Sequence, residues 1–251
     1  MVHLMSFIKM KQFKNNKIKK TINFALVIGL LINIIFGKIS IGAAENETKD
    51  ADIFRKHVNT SMKIALTFDD GPHPSQTLKI LDVLDKYGIK ATFFVVGVNA
   101  TYYPEAFAEV CRRGHEIGNH TFSHPQVSKL NPEDLEKEVD ECENTLLGLS
   151  DIKTSLFRPP EGMIDSSVKR VLGKLDYKVI LWDIDTRDWA HTPPKAIANN
   201  VISHISSGDI ILMHDYIAYN SPTVEALELF IPVLLEKGYT FTVISDLLNT
   251  K

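Results

Sequence analysis

The feature that most constrains this chain is a repeated alternation. Short β-branched or apolar runs (64–68, 92–96, 116–119, 156–158, 179–182, 210–213 and 240–243) take turns with longer stretches of helical periodicity (77–87, 105–113, 132–147, 166–175, 194–205 and 223–237). About seven strands separated by helices predict an α/β fold with a parallel sheet and helices outside it. Local signals agree. Asn131 followed by Pro132, Glu133 and Asp134 places a capping side chain, a first-turn proline and acids at a helix start. The side chains able to do chemistry then fall in one kind of place. Asp69 and Asp70 follow the first run, His120 and His124 the third, Arg158 ends the fourth, Asp185 and Asp188 follow the fifth, and His214 with Asp215 follow the sixth. An open doubly wound sheet gathers its site at one switch point, whereas a barrel draws on many strand ends around one mouth. Five contributing strands favour the barrel.

The first 44 of the 251 residues read differently. They carry seven Lys (9, 11, 14, 17, 19, 20 and 38) and no acid, so the formal charge of −3 leaves residues 45–251 at −10. So acidic a body is unsuited to binding nucleic acid, which needs a basic face. The lysines up to Lys20 precede a mainly apolar run, 22–36, that as a helix would span about 22 Å, short of a bilayer core of about 30 Å. With Gly42, Ala43 and Ala44 behind it, this is the pattern of a secretory signal peptide. An uncleaved membrane anchor is the alternative, and either places the rest of the chain outside the cytoplasmic membrane. Residues 45–60 are expected to be a polar linker and 61–248 a single catalytic domain. Two cysteines are too few for a disulfide scaffold, and Cys111 and Cys142, without activating neighbours, are expected to be free or buried thiols.

Within the body, two imidazoles four residues apart, His120 and His124, can face one metal ion if the segment turns helically. Adjacent carboxylates at a strand end, Asp69-Asp70, are costly unless something positive holds them. One acid with the two histidines gives three protein ligands and keeps a coordination position open, the pattern of a catalytic centre. The other acid can then act as a base, held ionised by Arg158. His214 is placed to act as an acid, with Asp188 orienting its ring. Trp182 is expected in the core, while Trp189, beside Asp188, is suited to wall an acyl methyl group.

Five segments in order, Thr67-Phe-Asp-Asp70, His120-Thr-Phe-Ser-His124, Arg158-Pro-Pro-Glu-Gly162, Asp185-Thr-Arg-Asp-Trp189 and Ile211-Leu-Met-His214, resemble the motifs of the polysaccharide deacetylases, the NodB homology domain of carbohydrate esterase family 4. The resemblance spans about residues 61–248. It implies a distorted, incomplete (β/α) barrel with one divalent metal ion, usually Zn2+, held by Asp70, His120 and His124. It also implies Asp69 as base, Arg158 as its positioning residue, His214 as acid and Asp188 as the residue that tunes it. Trp189 and Leu212 would line the acetyl pocket. Many members have Tyr where this chain has Glu161, so Glu161 is expected to bear on which glycan is accepted.

The function implied is hydrolysis of the N-acetyl group of N-acetylglucosamine-type residues in a cell-wall polysaccharide, peptidoglycan first, by an exported monomer that meets a membrane only through its N-terminal segment. Chitooligosaccharide deacetylation, acetyl xylan esterase activity and a catalytically silent wall-binding role are the alternatives.

Overall fold

The computed structural model describes residues 49–250; the expected signal peptide or anchor, residues 1–44, lies outside the described residues. Nine strands occur among the described residues: β1 (Ile53–Phe54), β2 (Lys63–Asp69), β3 (Thr92–Val95), β4 (Glu116–Asn119), β5 (Leu156–Phe157), β6 (Lys178–Ile180), β7 (Ile184–Asp185), β8 (Ile210–His214) and β9 (Thr240–Thr242). Eight α-helices lie between or after them: α1 (Gln76–Tyr87), α2 (Gly97–Tyr102), α3 (Pro104–Arg112), α4 (Pro132–Ser150), α5 (Ser166–Lys174), α6 (Pro194–His204), α7 (Thr223–Glu236) and α8 (Ile244–Leu248). All strand pairings are parallel, in the order β1-β6-β5-β4-β3-β2-β8-β7, with β9 added alongside β2. The end strands β1 and β7 do not pair, so the sheet curls without closing. The architecture is a distorted, incomplete (β/α) barrel.

Alternation along each strand decides what faces where. On β2, Ile64, Leu66 and Phe68 join a core with helix residues such as Ile80, Leu84, Leu227 and Phe230. The intervening Ala65 packs instead with Phe94, Leu156, Ile180, Ile210, Ile244 and Leu247 on the other face of the sheet. The same parity carries Thr67 and Asp69 inward, then His120 beyond β4, Arg158 beyond β5 and Leu212 and His214 on β8. A third core of Val139, Phe157, Val168, Leu172 and Val179 seats α4 and α5 on the outside of β5 and β6. Across the strand starts, α8 is anchored where Ile244 N–H donates to Thr92 Oγ1 at 3.0 Å. Catalytically useful groups therefore collect at the opposite, carboxyl end of the strands.

The expected helix start at Asn131 and the expected thiols hold in detail. Asn131 caps α4, its side chain accepting from Asp134 N–H at 2.9 Å, with Pro132 in the first turn. Gly88 closes α1 in the left-handed region at φ 65°. Cys111 and Cys142 are free thiols.

The expected linker is corrected in part. Ile53 and Phe54 pair with Val179 and Ile180, and buried Ala51 donates its N–H to Lys169 O at 3.0 Å. A two-residue strand is too short to show a period, and its pairing is supplied by the edge of β6. The folded unit therefore includes residues from 49 onward rather than from 61. The expected strand 179–182 ends at Ile180, and the chain turns before β7, which pairs only with β8.

Candidate active site

Asp70 stands just past the end of β2, where the chain turns at φ 75°. Its Oδ1 lies 3.4 Å from His120 Nε2 and 3.2 Å from His124 Nε2. One ligand atom from each of the three residues falls within 4.8 Å of the others. Tetrahedral ligands about 2.0–2.1 Å from a zinc ion stand roughly 3.3 Å apart, so the spacing suits one cation. The tautomer also suits it. His120 Nδ1 donates to Arg158 O at 2.7 Å, which leaves Nε2 as the ring nitrogen that faces Asp70. Burial pushes the Asp70 carboxyl up, but hydrogen bonds from His120 and His124 outweigh it and hold the acid well below the usual carboxylate range. The same bond raises the pKa of His124. Two imidazoles and one carboxylate converge here on a potential divalent-metal site.

Asp69 approaches that site from β2. Its Oδ2 is 3.9 Å from His120 Nε2, while its Oδ1 accepts from Arg158 Nη1 at 2.7 Å. Arg158 has no exposed surface, and burial lowers its pKa against the pull of Asp69. Its other contacts are a frame: Nη1 donates to Thr67 Oγ1 at 2.8 Å, Nε to Ile180 O at 3.0 Å and Nη2 to Leu181 O at 3.2 Å. The guanidinium also stacks 4.1 Å from the Phe94 ring centroid. Phe94 has that place because Gly118 on the next strand carries no Cβ, which would meet the ring at 2.4 Å.

His214 ends β8 in register with Asp69. Its Nδ1 donates to Asp188 Oδ1 at 2.7 Å and its backbone N–H to Asp188 Oδ2 at 2.8 Å. Asp188 is fully buried and also accepts from Trp189 N–H at 2.9 Å and Thr223 Oγ1 at 2.8 Å. Burial works against a charged His214 ring, but the hydrogen bond and charge of Asp188, with the charges of Asp69 and Asp70, lift its pKa to about 9. The ring is therefore cationic at neutral pH, with Nε2 left for the cavity.

These groups line one cavity of about 480 Å³ together with Glu161, Trp182, Asp185, Trp189 and Leu212. Every site residue expected from the sequence is placed in the cavity wall or directly behind it. Glu161 sits in the left-handed region at φ 59° and accepts from Gln126 Nε2 at 2.8 Å. Trp189 is half exposed at the rim. Trp182, expected in the core, also lines the cavity and lies 5.6 Å from the Arg158 guanidinium. Sequence reasoning missed Thr67 and Thr223. Thr67 shares the inward parity of Asp69 two residues on and could have been found by it; Thr223 carried no signal.

Comparison with known proteins bears directly on this arrangement. Residues 56–180 match the family model described as polysaccharide deacetylase. A peptidoglycan-N-acetylglucosamine deacetylase of Bacillus cereus is 39% identical over 196 residues, covering 77% of this chain and 91% of the relative. The peptidoglycan-N-acetylmuramic acid deacetylase PdaC of Bacillus subtilis is 37% identical over 188 residues, 75% of this chain and 39% of that longer protein. Among solved structures, a peptidoglycan N-acetylglucosamine deacetylase superposes with a TM-score of 0.77 at 34% identity, covering 81% of this chain and 95% of the other.

Proposed function

The chain belongs to the polysaccharide deacetylase family, and from that membership we propose that it hydrolyses the N-acetyl group of N-acetylglucosamine-type residues in peptidoglycan, releasing acetate. One observation carries the reading: a potential cation site, an aspartate paired with a buried arginine and an imidazole held by a buried aspartate share one cavity.

Asp70, His120 and His124 would hold a divalent cation, zinc in this reading, which supplies Lewis acidity toward the acetyl carbonyl and lowers the pKa of a neighbouring water. Asp69, paired with and oriented by Arg158, takes a proton from the attacking water through its cavity-facing oxygen. His214 enters the reaction protonated and gives its Nε2 proton to the sugar nitrogen as the C–N bond breaks. Water and amide are thereby converted to acetate and a free amine. Asp188 does not exchange protons in this scheme; it holds the imidazolium in place. Leu212 and Trp189 offer apolar surface to the acetyl methyl, and Glu161 stands where it would meet groups on the sugar ring.

The proposed substrate lies outside the cytoplasmic membrane, so the reading requires export, which the lysine-rich leader would supply. Acetate release from peptidoglycan, measured beside chitin oligomers and acetylated xylan with Asp69→Asn as control, tests it. Release from peptidoglycan by the unaltered chain alone is the expected result. Equal background in both proteins would overturn it in favour of a silent wall-binding role.

A further inference from the structure

Beside the cavity, the carboxyl ends of β2, β3 and β8 carry a second group of side chains. His73 follows Asp70 by three residues, Tyr216 follows His214 by two, and Tyr103 lies between α2 and α3. The three half-buried rings are packed together: His73 meets Tyr216 edge-on at 4.9 Å between centroids, and Tyr103 lies 6.3 Å from each. Tyr102, with its ring 6.4 Å from Tyr103 and 71% of its surface exposed, extends the cluster outward. None of these rings lines the catalytic cavity.

The cluster is built stiff. His73 Nδ1 accepts from Ser75 N–H at 3.1 Å and Gln76 N–H at 3.0 Å, which fixes the ring. Gln76 ties this loop to the Tyr216 segment, donating from Nε2 to Ser221 Oγ at 2.6 Å and accepting from Ile217 N–H at 3.3 Å. Thr77 adds a second tie, accepting from His73 N–H at 2.7 Å and donating to buried Asp215 at 2.6 Å. The Tyr103 segment is joined through Asn99, whose side chain donates to Asp70 O at 2.7 Å. Burial and the charge of Lys79 lower the pKa of His73, which favours its neutral ring.

A rigid, neutral group of half-buried aromatic rings suits a ligand that has an apolar face of its own and no net charge. A pyranose ring meets that description, with C–H groups on its faces and hydroxyls around its edge. We propose that His73, Tyr103 and Tyr216 form a stacking shelf for a second sugar of the glycan, next to the one held in the cavity. The inference rests on the deacetylase reading above and adds where the chain of the polymer runs: across the β2, β3 and β8 side of the mouth.

The test uses the zinc-loaded protein and the hexamer of N-acetylglucosamine. In an Asp69→Asn background, which suppresses turnover, calorimetry should show hexamer binding weakened about tenfold by Tyr216→Ala and retained by Tyr216→Phe. Tyr103→Ala gives an independent reading in the same direction should Tyr216→Ala fail to fold. In the active protein Tyr216→Ala should raise KM by the same factor and leave kcat unchanged. Unchanged affinity in both alanine variants, or a fall in kcat equal to the fall in kcat/KM, overturns the shelf. Should the unaltered chain bind the hexamer, and Tyr216→Ala weaken that binding, while no acetate is released, the shelf stands and the deacetylase reading falls.

Discussion

The cavity contains two partnerships between an aspartate and imidazole, and they are built to opposite ends. Asp188 has no exposed surface, and its two oxygens accept four hydrogen bonds, from the His214 ring, the His214 and Trp189 backbone and Thr223. Asp70 keeps 33% of its side chain exposed toward the cavity, and its Oδ1 faces two imidazole nitrogens alone. A carboxylate with every lone pair engaged is a fixed charge that can only bias its neighbour. One that faces open space with two histidines still has a position to offer. In the proposed reading, the difference between a tuning residue and a ligand is one of remaining valence, since the residue types are the same.

Removing a partner from each side separates them. His120→Ala should have the largest effect, taking bound zinc and acetate release to background together; metal analysis of the purified protein checks it, and full occupancy would remove His120 from the ligand set. Asp69→Asn should lower kcat by about 10²–10⁴ with zinc content unchanged, as expected for loss of a base. Asp188→Asn should lower kcat by about 10–100-fold, the cost typical of a supporting residue, again with metal retained. It should also move a titration. His214, raised to about 9, is protonated at neutral pH and loses its proton as pH rises through that value. With the Asp188 charge gone, the alkaline limb of the pH–kcat profile shifts to lower pH; an unmoved limb would separate His214 from the acid role. The fold feels the same coupling, because a raised imidazole pKa stabilises fully below the unfolded value of about 6.5 and stops contributing as pH rises through about 9. Glu161→Tyr should act least, altering the ratio of rates on neutral and anionic glycans about two- to fivefold by removing a charge at the rim, with zinc content untouched.

Much of this was legible beforehand because the chemistry and the period coincide. Asp69, His120, Arg158 and His214 each fall at the end of an apolar run, and strand alternation then turns them to one side. What escaped was set by contacts distant in sequence. Two-residue strands at Ile53–Phe54 and Ile184–Asp185 exist only because a neighbouring edge pairs with them. The short helix from Gly97 to Tyr102 offers too few residues for a period. Thr223 begins a helix and would be read there as a helix-start residue; its hydroxyl instead closes the shell around Asp188. Trp182 divides its surface between packing and the cavity, which composition does not express.

Arg158 and Asp69 carry one further consequence. A guanidinium sealed from solvent has the acid as its counter-charge, and stripping one member from such a buried pair typically destabilises a protein by about 3–5 kcal/mol. The group that would receive the proton in the reaction therefore also neutralises the interior of the barrel. Proposed chemistry and architecture thus rest on one side chain, and removing the Asp69 carboxylate would at the same time orphan a buried positive charge.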